Sequence, residues 1–319
     1  SDPSIMRKLF KGGCRYQWAI DYSFSGVPET VVHYAEQPSA PYSLIDYMHA
    51  DITLINNLRV TNNLLWSVKD LSPDTHIIKL GTMGEYGTPN IDIEEGWLNI
   101  THNNREDRFL YPRQASSLYH TTKIMDTDLM WFGVRMWDLK VTDLMQGPVY
   151  GIETNESSID KRLNTIFNYD EIFGTIINRF IVQAVVGHPL TVYGGGGQTR
   201  GYLNIKDTLQ CVHKAEITPS KKGELRIFNQ IMEIFSVNDL SILVQKVGNQ
   251  RGCNVEIKPI PNPRKESENH YYNPKYQGLK DLGVSPHLLT DKEMNNLFSI
   301  VEGYKNNIRK DVIAKGVKW

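Results

Sequence analysis

Apolar runs and longer mixed segments alternate along the first half of the chain. Glu29-Thr30-Val31-Val32-His33-Tyr34 reads as a buried strand. Met48 to Val68 reads as a helix, and His76-Ile77-Ile78-Lys79-Leu80 as a second strand. Ser116 to Trp137 reads as a second long helix, and Leu139 to Leu144 as a third strand. Strand–helix alternation of this kind predicts an α/β protein with a parallel sheet covered by helices. Between Thr88 and Gln114 the pattern becomes polar. There Trp97 to His102 and Arg108 to Tyr111 flank an Asn-rich turn, which predicts a hairpin projecting near the site. Polar stretches at 155–168 and 261–273 read as substrate loops rather than linkers. No repeat and no low-complexity segment interrupts the pattern.

Composition changes this picture little. The chain has 319 residues, enough for one large or two smaller domains and a substantial core. A net charge of −1 gives no global field toward nucleic acid or an anionic membrane, so neither is an expected partner. Cys14, Cys211 and Cys253 are widely spaced. They form neither a zinc pattern nor a disulfide framework, which suits a reducing compartment and predicts no metal. No apolar run is long enough for a transmembrane helix. No signal peptide is visible, and the expected location is the cytoplasm.

The candidate chemistry centres on Tyr119-His120-Thr121-Thr122-Lys123. Residues four apart share a helix face. An ammonium beside a phenol favours the phenolate, which would bring Tyr119 toward neutrality and make it a general base for a sugar hydroxyl. Lys123 can also hold a cofactor ribose. Each candidate has a plainer reading. Tyr119 and Tyr86 could be core aromatics, His120 a satisfied helix histidine, and Glu85 a turn carboxylate. Gly194 to Gly197 could cradle a phosphate through backbone N–H groups or be only a flexible turn. Arg200 and Arg264 could clamp a diphosphate or be surface charges.

Four segments resemble the extended short-chain dehydrogenase/reductase superfamily. Val31-Val32-His33-Tyr34-Ala35-Glu36 resembles the strand that lines a nicotinamide cofactor. Asn57 to Leu65 resembles an Asn-x-x-Gly-Thr-x-x-Leu-Leu helix, with Val60 in place of the glycine. Thr82, Tyr119 and Lys123 sit where the superfamily's catalytic triad falls. Tyr193 to Arg200, running on to Asp207, resembles a sugar-nucleotide segment. Within the superfamily, Gly81 to Gly96, Asn178 to Arg200, Phe228-Asn229-Gln230, Pro261 to Arg264 and His270 to Asn273 are similar to the UDP-sulfoquinovose synthase family. The resemblance covers roughly residues 28 to 319.

This resemblance implies a Rossmann-like sheet with a smaller α/β substrate domain. The cofactor domain would take residues 1–150 plus about 198–236, and the substrate domain 151–197 and 237–319. It implies NAD, held by His33, Ala35, Glu36, Asn57, Leu80, Gly81, Tyr119, Lys123 and Gln146. It implies UDP-glucose and sulfite as substrates, contacted by Gln37, Ser39, Met83, Gly84, Arg179, Thr191, Tyr193, Gln198, Arg200, Arg264 and Tyr271. Thr82, Tyr119 and Lys123 would be catalytic, with Glu85 and His120 moving protons at carbons 5 and 6. Dehydratase relatives carry an acid where Met83 stands, and methionine cannot donate a proton. A homodimer and a sulfite-supplying protein are implied partners, and plastid stroma is the alternative location. The other readings are a UDP-glucose 4-epimerase or 4,6-dehydratase, and a non-catalytic sugar-nucleotide binder. Two departures stand out. No Gly-x-x-Gly-x-x-Gly turn precedes Val31, so weak NAD retention is expected of these 319 residues. Pro38 stands where an arginine is expected near the substrate.

Overall fold

The computed structural model describes residues 14–163, 166–262 and 270–313. In chain order the elements are α1 (Gln17–Ser23), β1 (Thr30–His33), α2 (Tyr47–Leu71), β2 (His76–Thr82), β3 (Trp97–His102), β4 (Arg105–Leu110), α3 (Leu118–Trp137), β5 (Lys140–Gln146) and β6 (Val149–Tyr150). Then come α4 (Asn155–Ile159), α5 (Ile176–Val185), β7 (Leu190–Tyr193), β8 (Thr199–Asn204), α6 (Ile205–Ile217), β9 (Glu224–Gln230) and β10 (Glu233–Ser236). The last are α7 (Val237–Gln250), β11 (Ile257–Ile260), α8 (Gly278–Asp281) and α9 (Asp291–Gly303).

The central sheet has the order β1-β2-β5-β9, and every pairing in it is parallel. Parallel strands need both faces covered, and Ile77, Ile78, Val141 and Leu144 on the inner strands are fully buried. The alternation expected for an α/β chain is therefore present, with strand ends within two residues of those expected. Local chemistry sets the helix starts. The Asp46 carboxylate accepts from His49 N at 2.9 Å to begin α2. The Ser117 hydroxyl accepts from His120 N at 3.1 Å to begin α3.

A mixed sheet β10-β8-β6 and a parallel pair β11-β7 lie outside the central sheet. One apolar cluster is built largely from α5, α7, α9 and β7, around Phe180, Val244 and Phe298. Two others line the central sheet, around Ile77 and Met130 and around Ile78 and Leu144. Thus the second half of the chain has its own core beside that of the sheet.

The hairpin β3–β4 forms around Asn103 and Asn104, whose φ values of 49° and 59° make the tight turn that two-residue hairpins favour. Its position differs from the expected one. Trp97 packs edge-on to Trp131 of α3 at 5.0 Å. Trp131 lies roughly 18 Å along the helix from Tyr119, at about 1.5 Å per residue. The hairpin base therefore sits well down α3, away from Tyr119, because its large aromatic finds burial there. Helix α1 has no counterpart in the sequence reading. It is held to α2 by Gln17, which donates to the Ser67 hydroxyl at 2.7 Å, and by Asp21, which accepts from that hydroxyl at 2.7 Å.

Candidate active site

The carboxyl ends of β1, β2 and β5 deliver His33, Leu80-Gly81-Thr82 and Gln146 to one edge of the sheet. Ligands of open α/β sheets bind in the crevice outside such ends. The N-terminal turns of α3 bring Tyr119, His120 and Lys123 to this edge. Tyr119 N donates to the Ser43 hydroxyl at 3.1 Å, and Lys123 Nζ donates to the Leu80 carbonyl at 2.5 Å.

Lys123 has a second partner that the sequence did not suggest. Its Nζ lies 2.6 Å from the Glu36 carboxylate, and both side chains are nearly inaccessible. Glu36 also faces His33 Nε2 at 3.3 Å, and His33 meets the Thr61 hydroxyl at 3.1 Å. Burial lowers His33 to about 4, so it is neutral near pH 7. Behind them, Asn57 of α2 ties the β1 loop to α3. Its Oδ1 accepts from Gln37 N at 2.9 Å, and its Nδ2 donates to Gln37 O at 3.2 Å and the Thr122 hydroxyl at 3.0 Å. Ala35 lies between His33 and Glu36 on an exposed stretch.

Tyr119 itself departs from expectation. Its pKa is raised, first by burial and then by the Glu36 and Glu85 carboxylates, with only Lys79 among the main influences pulling the other way. The expected lowering by Lys123 is not what this arrangement shows. Burial is the main reason, and Glu36, sitting on the ammonium, adds to it by repelling a phenolate.

Thr82 ends β2 and caps a short 3-10 turn, Met83–Glu85. Its hydroxyl accepts from Gly84 N at 3.2 Å, and its own N–H donates to Glu85 Oε1 at 3.2 Å. Met83 is buried. Gly84 lies so close to the His120 imidazole that any Cβ there would collide with it. His120 Nδ1 is 3.0 Å from the Ser117 hydroxyl, and its ring lies 5.1 Å from that of Tyr119.

Glu85 was expected to move protons at the substrate, and the structure places it otherwise. Its side chain is fully buried, 3.5 Å from Lys79 Nζ and 3.6 Å from Arg113 Nε. Burial raises its pKa against the pull of Lys79 and Arg113. It holds Thr82 from below rather than facing the crevice. Lys79 joins the same cluster, donating to the Thr127 hydroxyl at 2.9 Å and to Asp143 Oδ2 at 3.1 Å. Lys79, Asp143, Arg113 and Thr127 escaped the sequence reading. One signal was available: Lys79 and Asp143 are charged residues inside apolar strands, and they are register partners across β2 and β5.

The remaining candidates divide. Ser39 is buried and donates to the Ile172 carbonyl at 2.5 Å, joining the β1 loop to the segment before α5. Gln37 caps Ser39 N at 2.7 Å. Gln146 donates to the Gln230 side chain at 3.0 Å. Arg179 of α5 is buried, lies 5.1 Å from the Tyr193 ring, and its Nε has no hydrogen-bond acceptor within the protein. Gln198 donates to the Tyr193 carbonyl at 3.2 Å, while its Oε1 is buried and accepts nothing. Arg179, Tyr193 and Gln198 thus form one polar group with unmet hydrogen-bonding capacity. Thr191 is instead satisfied by Gln183, at 2.8 Å from its Nε2. Arg200 donates to the Thr199 carbonyl at 2.8 Å and meets His270 at 3.0 Å. Tyr271 is half-exposed and donates to Asp92. Arg264 lies outside the described residues. At Gly194–Gly197, Gly194 N donates to Ile260 O of β11 at 2.8 Å and Gly196 N to Tyr193 O at 3.3 Å, so these two N–H groups already have partners within the protein.

Among the described residues there is no helix long and apolar enough to cross a membrane, and no cluster of three or more His, Cys, Asp or Glu that could hold a metal.

Comparison with known proteins locates this arrangement. Residues 8–229 match the model of the NAD dependent epimerase/dehydratase family. The chain is 50% identical over 306 residues to a spinach (Spinacia oleracea) protein named UDP-sulfoquinovose synthase, chloroplastic, covering 96% of this chain and 64% of that protein. It is 44% identical over 295 residues to UDP-sulfoquinovose synthase of Sulfolobus acidocaldarius, covering 92% of this chain and 75% of that one. The chain thus spans about two thirds of the spinach relative's length. The fold also matches the solved UDP-glucose 4-epimerase of Thermotoga maritima, at TM-score 0.68 and 18% identity over 96% of both chains.

Proposed function

The chain belongs to the NAD dependent epimerase/dehydratase family, and from that membership we propose that it makes UDP-sulfoquinovose from UDP-glucose and sulfite. One observation carries the reading: relatives named for that activity share 50% and 44% of their aligned residues with nearly the whole chain. The site supports it. Thr82, Tyr119 and Lys123 meet at one sheet edge, and apolar, buried Met83 stands beside them.

NAD is the proposed cofactor, and the crevice suits its nicotinamide–ribose half. Lys123 offers an ammonium, and Glu36 a carboxylate that accepts no hydrogen bond beyond its ion-pair contacts. That is a donor–acceptor pair for a ribose diol. Bound NAD supplies reversible hydride acceptance from carbon 4 of the sugar. Tyr119 takes the proton of the 4-hydroxyl, and the Thr82 hydroxyl donates to the 4-oxygen. The resulting ketone acidifies the proton on carbon 5. Loss of the 6-hydroxyl leaves a carbon 5–carbon 6 double bond conjugated to the ketone. Sulfite sulfur adds at carbon 6 and a proton returns to carbon 5; return of the hydride to carbon 4 and of the proton from Tyr119 to the 4-oxygen then restores the 4-hydroxyl, with water as the second product. The proton transfers at carbons 5 and 6 are assigned to His120, which lies beside Gly84 and Tyr119. Arg179, Tyr193, Gln198 and Arg200 are assigned to the UDP moiety, in a unit with its own core.

The assay is product analysis by mass spectrometry after incubation with UDP-glucose, NAD and sulfite. A sulfonated UDP-hexose supports the proposal. UDP-galactose or a 4-keto-6-deoxy sugar without sulfur would move the chain to an epimerase or dehydratase, and no turnover to a binding role.

The reading extends to a homodimer. Met48, Ile52 and Ile55 on α2 and Met125, Phe132 and Met136 on α3 are exposed at helical spacing, and the two helices pack side by side. Light scattering of wild type against Phe132→Glu tests this. Delivery of sulfite by a partner protein, in the cytoplasm or a plastid stroma, belongs to the same proposal.

A further inference from the structure

The β1 loop puts a buried carboxylate against the lysine of the Tyr–Lys pair, and no proton transfer of the proposed reaction uses it. We propose that Glu36 is a positioning residue, whose carboxylate fixes the Lys123 ammonium against the Leu80 carbonyl and offsets its charge beside Tyr119. The inference rests on Tyr119 as the base of the proposed reaction.

Three observations support it. First, the geometry is closed. Lys123 Nζ lies 2.6 Å from Glu36 and 2.5 Å from Leu80 O, at the end of the strand that carries Thr82. Second, the pair is shielded, with 4% and 3% of the two side chains accessible, so water screens it little. Third, Glu36 is itself held. Its N–H donates to Tyr34 O at 2.9 Å, its carboxylate faces His33 at 3.3 Å, and Asn57 fixes the next residue by both backbone groups of Gln37.

The groups around Tyr119 are Glu36 from the β1 loop, Lys79 from β2, Glu85 from the turn after β2, and Lys123, Asp126 and His120 from α3. His33 stands behind Glu36 and is neutral near pH 7. Asp126 is raised well above the ordinary carboxyl range by burial and by Glu36. Glu36 is the anion that acts most strongly on the phenol, ahead of the deeper Glu85. Its removal leaves Lys123 uncompensated, and an uncompensated cation favours the phenolate. In the working enzyme the carboxylate would hold Lys123 in place, and a ribose diol arriving at the pair would redistribute its contacts.

The test uses the chain labelled with tyrosine carrying ¹³C at Cζ, whose signal reports the phenol directly without turnover. Tyr119→Phe assigns the resonance. In Glu36→Gln we expect the Tyr119 titration to begin at a pH lower than in wild type by about one unit or more, the usual scale for a neighbouring charge. The acid limb of the kcat–pH profile should shift the same way. Tyr119 signals that stay protonated to the same pH limit in both proteins overturn the proposal. Glu36→Asp keeps the charge but withdraws it by one methylene, and serves also if the Gln variant fails to fold. Its kcat should fall several-fold with KM for UDP-sugar unchanged, and wild-type kcat would overturn the positioning role. If the nuclear resonance shift appears but no sulfonated product forms, the inference about Glu36 stands and the proposed function falls.

Discussion

Lys79→Met is the perturbation that most directly probes how the site is held. The Lys79 side chain is wholly inaccessible, 3.1 Å from Asp143 and 3.5 Å from Glu85. At an effective dielectric of about 20, a charge pair at that separation attracts by about 5 kcal/mol. Methionine fills much of the same volume, so the loss is chiefly electrostatic. It leaves two buried carboxylates facing each other, and removing one partner of a buried pair costs about 3–5 kcal/mol. The expected stability loss at pH 7 is in that range, measured by urea unfolding followed by tryptophan fluorescence. The loss should depend on pH. Lys79 lowers the Glu85 pKa, and burial raises it. Without Lys79 that carboxyl lies further above its unfolded value, so the folded form keeps a proton the unfolded form has released. Native stability then declines as pH rises from about 4.5 upward, and the deficit is larger at pH 8 than at pH 5. In Lys79→Met/Asp143→Leu at least about 1 kcal/mol should return, because an apolar replacement of a whole buried pair is often neutral. A loss below about 1 kcal/mol in the single variant, equal at both pH values, refutes the reasoning.

Tyr119→Phe should lower kcat by roughly a hundredfold or more, the scale of general-base catalysis, with UDP-glucose affinity almost unchanged by calorimetry. Arg200→Ala should weaken UDP binding by about 1.5–3 kcal/mol, the value of a hydrogen bond to a charged group, and unchanged affinity would put the diphosphate elsewhere. His33 has a folded pKa of about 4 against 6.5 for a free histidine, so the unfolded chain binds more protons between those values and stability falls as pH drops through that window. His33→Gln should flatten that part of the stability–pH curve, and an unchanged slope would show that His33 is not the group responsible.

The strand–helix alternation was legible because it is local. Strands such as His76–Leu80 and helices such as Ser116–Trp137 announce themselves through their own apolar runs and caps. The sharing of one face by Tyr119 and Lys123 follows from helical spacing alone. The Asn103-Asn104 turn was legible too, since asparagine tolerates positive φ. Tertiary structure decided the rest. Whether Lys79 meets Asp143 depends on the parallel register of β2 and β5, which no local pattern contains. Glu36 reaches Lys123 only because the β1 end and the α3 start meet at the same sheet edge. Glu85 turned inward because its short 3-10 turn directs it to two buried cations. The identity of the ionisable groups was written in the chain; their protonation depended on burial and on which opposite charge arrived beside them, and both are properties of the folded whole.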